Sequence, residues 1–114
     1  MHPYKKAIHA LEVLKNELPL CFKHGKEKLP IAVGIHHDVL AYYASDKRFS
    51  KTNLRKAINL YTSGTIYLKK IVEGAVRINL VGQETTRVTK EEAQNAKALL
   101  LDKKIRAQKK KTKH

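Results

Sequence analysis

The stretch FSKTNLRKAINLYTSGTIYLKK, Phe49–Lys70, sets Ser50 directly before an apolar series, Leu54, Ala57, Ile58 and Tyr61, spaced i, i+3, i+4, i+7. That spacing returns each side chain to one face of an α-helix. Ser50 suits the start of it, because its hydroxyl can accept a hydrogen bond from a first-turn amide that has no carbonyl partner in the helix. The stretch therefore reads as a helix over 50–62. Lys51, Arg55 and Asn59 recur every fourth residue and make a polar, cationic ridge beside the buried stripe. Ser63-Gly64 interrupts the pattern, and TIYLKKI continues as a further short helical segment carrying Tyr67. Across residues 46–70, Lys47, Arg48, Lys51, Arg55, Lys56, Lys69 and Lys70 stand against the single acid Asp46.

Upstream, Ile8, Leu11, Leu14 and Leu18 fall at helical spacing within Tyr4 to Leu18, with Lys5, Lys6, Lys15 and Asn16 turned outward. Pro19 ends that helix, and a connection through Gly25 stops at Pro30. Residues 31–44 read as a short extended entry followed by a helix from Gly34 to Ala44. Downstream, the period changes to two. Val76, Ile78 and Leu80 alternate with Arg77 and Asn79, which predicts a β-hairpin turning near Val81-Gly82-Gln83 and returning through Thr86 to Val88, with Arg77 on its polar face. Thr89 and Glu92 form a capping box that starts a last helix at Lys90, with Ala93, Ala96, Leu99 and Leu100 as its apolar residues. After Leu101 the chain reads DKKIRAQKKKTKH, seven Lys and Arg against one acid. Such a segment buries nothing and is expected to be disordered or loosely helical. The fold class is mainly α with a small β-hairpin: one compact domain over 1–102 and a basic C-terminal tail over 103–114.

The chain has 114 residues, 42% of them hydrophobic, enough for one modest core. Its 24 Lys and Arg exceed its 10 Asp and Glu, giving a formal charge of +14. An excess of that size repels itself unless a polyanion offsets it, so nucleic acid is the leading partner. No segment approaches the ~20 apolar residues of a spanning helix, and the N-terminus lacks an apolar signal core, so a cytoplasmic protein away from membranes is expected. Cys21 is the lone cysteine and is expected to be a buried apolar residue. The His36-His37-Asp38 run is not a metal site, because neighbours on a helix point about 100° apart and no fourth ligand is evident. The acids are scattered singly apart from Glu91-Glu92 at a helix start, which leaves no carboxylate cluster for an enzyme. No cofactor and no catalysis are expected.

Four motifs, PLCF at 19–22, LPIAVGIHHDVLA at 29–41, SKTNLRKAINLYTSGTIYL at 50–68 and GAVRINLVG at 74–82, follow in order. Together they resemble the RNA-chaperone domain of the ProQ/FinO family over roughly residues 4 to 107. The resemblance implies a bacterial, post-transcriptional role: binding the base of a hairpin and its single-stranded 3′ tail, as at transcription terminators, in small RNAs and mRNA 3′ ends, and promoting pairing between small RNAs and their targets. A monomer is expected.

A mechanism agrees with it. The helix start at Ser50, Lys51 and Thr52 offers unpaired amides and a positive dipole end to phosphate or a terminal nucleotide. Lys51 and Arg55 add charge beside it, with Arg55 offering a fork of donors. Tyr67 is placed to stack on a base or bond to the backbone, and Arg77 to reach the same concavity from the hairpin. Three departures from the family pattern stand out: Ala32 where a basic residue is common, Thr65-Ile66 where a Trp-Arg pair is frequent, and Asn59 where a second helix arginine is common. Binding then leans on Lys47, Arg48, Lys56, Lys69, Lys70 and the tail, with less sequence discrimination. The alternative is a basic helix-turn-helix-like module entering a DNA major groove; a ribosomal or structural basic protein is a further rival.

Overall fold

A computed structural model describes residues 2–112. The order is α1 (Pro3–Glu17), a single 3-10 turn (Gly25–Glu27), α2 (Ile35–Tyr42), α3 (Lys51–Ser63), α4 (Thr65–Lys70), β1 (Val76–Ile78), β2 (Glu84–Arg87) and α5 (Lys90–Thr112). The expected fold class stands: one mainly helical domain with one antiparallel hairpin. Helix α3 is its hub, packing on α1, α2 and α4, while α4 in turn carries α5. The stripe Leu54, Ala57, Ile58 and Tyr61 is buried throughout. Tyr61 is 0% exposed and meets Phe22 edge-on, with ring centroids 5.2 Å apart. Its hydroxyl accepts from the Lys23 amide at 2.8 Å. Cys21 is buried too, and that burial pushes its thiol pKa up to about 12, which leaves it an inert packing residue.

Several expectations change in detail. Helix α1 buries Ala7, Ala10 and Leu14 and leaves Ile8 39% exposed, because small residues let α1 approach α3 closely where Ile8 falls off the contact line. The hairpin returns over Glu84–Arg87, starting two residues and ending one residue earlier than its sequence pattern suggests. Val76 pairs with Arg87 and Ile78 with Glu84, so β2 carries one extra residue as a bulge. Asn79 organises the turn: its Oδ1 accepts from the amides of Val81 and Gln83, and Gly82 supplies the left-handed residue at φ +81°.

The extended entry before α2 is real and has a partner. Ile31 bridges Ile78 in parallel, with the Ala32 amide donating to the Ile78 carbonyl at 2.8 Å and the Ile78 amide to the Pro30 carbonyl at 3.0 Å. The capping box closes as expected, with Thr89 N–H on Glu92 Oε1 at 2.9 Å and Glu92 N–H on Thr89 Oγ1 at 3.1 Å. Helix α5 then continues to Thr112, so of the two expectations for the basic segment, disordered or loosely helical, it takes the helical one through that residue. Lys, Arg, Gln and Ala are good helix formers, and Arg106 closes on Asp102 one turn back at 3.0 Å. Residues 113–114 of the expected tail lie outside the described residues.

Candidate nucleic-acid interface

The cap that opens α3 forms: the Asn53 amide donates to Ser50 Oγ at 3.1 Å, and the Leu54 amide to the Ser50 carbonyl at 3.1 Å. The amides of Lys51 and Thr52 have no carbonyl four residues back within the helix, as at any helix start. Lys51, Thr52, Arg55 and Lys56 are all exposed on the same helix. Arg55 lines a recess of about 450 Å³ together with His36, Ile58 and Asn59. Replacing Ser50 with alanine should cost about 1 kcal/mol of stability, read from a denaturant midpoint, because Asn53 loses its acceptor.

Tyr67 and Arg77 are not part of that recess. Tyr67 is 4% exposed, and its hydroxyl accepts from the Ile31 amide at 3.1 Å. Arg77 is buried, not displayed on the polar face of the hairpin as its alternation predicts. Residues of α4 and α5 cover that side of β1, where Arg77 shares a recess with Tyr67, Leu68, Glu92 and Ala96. Arg77 Nη1 donates to the Ile31 carbonyl at 2.8 Å, and Nη2 pairs with Glu92 at 3.3 Å. Both residues do reach a smaller recess of about 230 Å³ between α4 and α5, shared with Glu92, Asn95 and Leu99. Their candidate contacts to a ligand lie there.

Arg48 is the clearest departure from a free cation. Its guanidinium forks onto Asp46 at 2.7 Å and onto Glu17 at 3.0 Å, so two carboxylates offset its charge. The bond to Arg48 holds both carboxylates below their ordinary range, and Glu17 also accepts from the Tyr43 hydroxyl at 2.9 Å. Depressed carboxylates add stability above the unfolded-state pKa and lose it as pH falls through the folded one. The clamp should therefore weaken below about pH 4, and Arg48→Gln should flatten the acid limb of a melting temperature against pH curve. Asp46 is a near neighbour in sequence, but Glu17 meets Arg48 only through the packing of α1, which spacing does not reveal. Lys47 and Lys69 are exposed and Lys70 is half-buried; Lys69 and Lys70 sit in the last turn of α4, where cations also answer the helix dipole.

Two residues that sequence reasoning left out of the site line recesses beside these cations. His36 enters the Arg55 recess because Gly34, at φ +79°, starts α2 just before it. Tyr4, 57% exposed, lines an apolar recess with Lys56 and Asn59 on the other side of α3. An aromatic at a helix start was the available signal.

A helical domain with a cationic helix start, a flanking recess and a small hairpin is the class these features define. A family model described as the ProQ/FINO family matches residues 4–113, and the chain belongs to that family. Among curated relatives, it is 38% identical over 90 residues to RNA chaperone ProQ of Shewanella oneidensis, covering 79% of this chain and 42% of that one. It is 36% identical over 104 residues to RNA chaperone ProQ of Vibrio vulnificus, covering 91% and 50%. The chain thus spans about half the length of the curated relatives it matches. Among solved structures, the solution structure of a ProQ homolog from Legionella pneumophila superposes with a TM-score of 0.73 at 28% identity, covering 84% of this chain and 81% of that one. The crystal structure of a FinO-like RNA chaperone from Neisseria meningitidis gives 0.70 at 19% identity over 97% and 86%, a likeness of fold. Among the described residues, no helix is long and apolar enough to cross a membrane.

Proposed function

We propose that this domain is a cytoplasmic RNA-binding protein and RNA chaperone that engages the base of a hairpin and its single-stranded 3′ tail, in small RNAs and mRNA 3′ ends, and acts as a monomer. The observation that carries the reading is the start of α3. A capped helix N-terminus with amides left unpaired within the helix has Lys51, Thr52, Arg55 and Lys56 exposed along it and a polar recess at Arg55. Amides and dipole suit a phosphate or terminal hydroxyl, the lysines supply point charge, and Arg55 supplies a planar fork for phosphate. The relatives' name, RNA chaperone, supports RNA over duplex DNA as the polyanion.

In this reading Lys47, Lys69 and Lys70 widen the field around the contact, while Arg48 contributes less because its carboxylate partners must first release it. Tyr67 and Arg77 shape the domain and meet RNA only at the recess beside α5. A short concave donor set accommodates a chain end better than the middle of a strand, which has to bend away on both sides. Shortening the 3′ tail to a blunt hairpin, or capping its 3′ hydroxyl with phosphate, should therefore lower affinity about tenfold, or ~1.4 kcal/mol, while changing stem sequence at constant length has little effect. Equal affinity for blunt, capped and free-tailed hairpins would remove end recognition. Tighter binding to duplex DNA than to the hairpin would favour the helix-turn-helix alternative.

A further inference from the structure

We infer that the recess between the start of α1 and the middle of α3 takes an unpaired nucleobase, as a second contact on the RNA beside the one at the start of α3. This rests on the proposed RNA binding and extends it around the helix. Pro3, Tyr4 and Ala7 of α1 and Lys56, Asn59 and Leu60 of α3 line a recess of about 390 Å³. Small-molecule sites begin at about 300 Å³, so the space suits a ligand the size of one base. It exists because α1 runs antiparallel to α3. Glu17 meets Arg48 and His9 lies by Phe49, which brings the first turn of α1 alongside residues 56–60.

Its chemistry is that of a base site. Tyr4 is 57% exposed and offers a ring on which a base can stack, a contact every base can make. Ala7 is buried and Leu60 half-buried, so part of the lining is apolar. Asn59 is exposed, and its amide carries donor and acceptor on one edge, the complement of adenine N6 and N7. Lys56, also exposed, supplies a cation for the adjoining phosphate. His2 holds the arrangement: its Nδ1 accepts from the Tyr4 amide at 3.1 Å, fixing the first turn of α1 on which Tyr4 stands.

The occupant follows from charge and from the neighbouring recess. A chain with a formal charge of +14 selects a polyanion over a second basic copy of itself. Asn59 lines both this recess and the one at Arg55, so the two lie on either side of one residue of α3. Arg55 and Lys56 point about 100° apart on the helix. A strand held at Arg55 therefore reaches the Tyr4 recess by crossing Asn59. A paired base has its faces stacked and its edge engaged, so the nucleotide that enters is unpaired.

The test uses the full chain and an adenosine octamer ending in a 3′ phosphate, which the start of α3 is expected to reject. A matching octamer of abasic sugar-phosphate supplies the backbone alone. Tyr4→Ala should weaken binding of the octamer about tenfold and of the abasic strand less than about twofold, since a stacked base is lost and no phosphate contact. Tyr4→Phe should keep wild-type affinity. The tenfold ratio should hold as salt rises, because stacking releases no counterions. Tyr4→Trp places the only tryptophan of the chain at the recess, and its emission should be quenched by the octamer and not by the abasic strand. Tyr4→Ala, at an exposed position, should melt with wild type; where it does not, the Tyr4→Trp emission carries the test. Equal loss on both strands, or quenching that ignores the bases, overturns the base site. An oligoglutamate peptide that changes the emission where the octamer does not would replace RNA by a protein partner. A wild-type chain that prefers the octamer with bases yet binds no tailed hairpin would fail the proposed function and leave the recess standing. Tailed-hairpin binding with no base dependence at Tyr4 would do the reverse.

Discussion

Tyr67→Ala should be among the most damaging single changes in this domain, lowering stability by about 3 to 5 kcal/mol, as large aromatic-to-alanine changes in cores do. The ring is 4% exposed and lies 5.6 Å from that of Tyr61, and the hydroxyl is the acceptor for the Ile31 amide. Alanine removes all three at once. Tyr67→Phe separates them: it keeps the ring and leaves the Ile31 amide without its acceptor, which should cost about 1 to 3 kcal/mol. Denaturant midpoints for the two variants, set beside hairpin affinity under strongly native conditions, divide structural from contact roles. A Tyr67→Ala chain as stable as wild type would mean that the ring is displayed and not buried.

Arg77→Ala should follow closely, at about 2 to 4 kcal/mol. The guanidinium satisfies the Ile31 carbonyl, pairs with Glu92 and joins the hairpin to α5. Its removal strands a buried carbonyl, and at roughly 4 °C or more per kcal/mol the melting temperature should drop by about 10 °C. Glu92→Gln isolates the ion pair: the bond to Ile31 survives, and the loss should be the smaller part. If Arg77→Ala melts with wild type while hairpin affinity collapses, the residue acts on RNA alone and the brace is not a brace.

These two residues also mark how far the sequence could be read. Helix α3 was legible in full, because its cap and its stripe are local: Ser50 and Leu54 to Tyr61 obey rules that involve only near neighbours. The exposed cations Lys51, Arg55 and Lys56 were legible for the same reason, lying off the stripe. Arg77 was misplaced because alternation along a strand assumes one covered face. Helices α4 and α5 cover the other, and no pattern within 75–88 records the Ile31 carbonyl, more than 40 residues upstream, that the guanidinium meets. Arg48 was read as a free charge because Glu17 arrives from another helix. The basic segment past Leu101 was read from its inability to bury surface, which is correct, but helix propensity and the Asp102–Arg106 pair wind it without burial.

The parallel pairing of Ile31 with Ile78 has a kinetic consequence. Joining those residues closes a loop containing α2, α3 and α4, so much of the chain must be in place before the bridge forms. Helical turns form locally and fast, whereas contacts distant in sequence wait on loop closure. The Ile31 backbone, braced by Tyr67 and Arg77, should then be acquired late in folding and released early in partial unfolding. The recess shared by Tyr67 and Arg77 exists only while that closure holds. In native-state hydrogen exchange, the Ile31 and Ile78 amides should open together, at a free energy below that of the amides in the middle of α3.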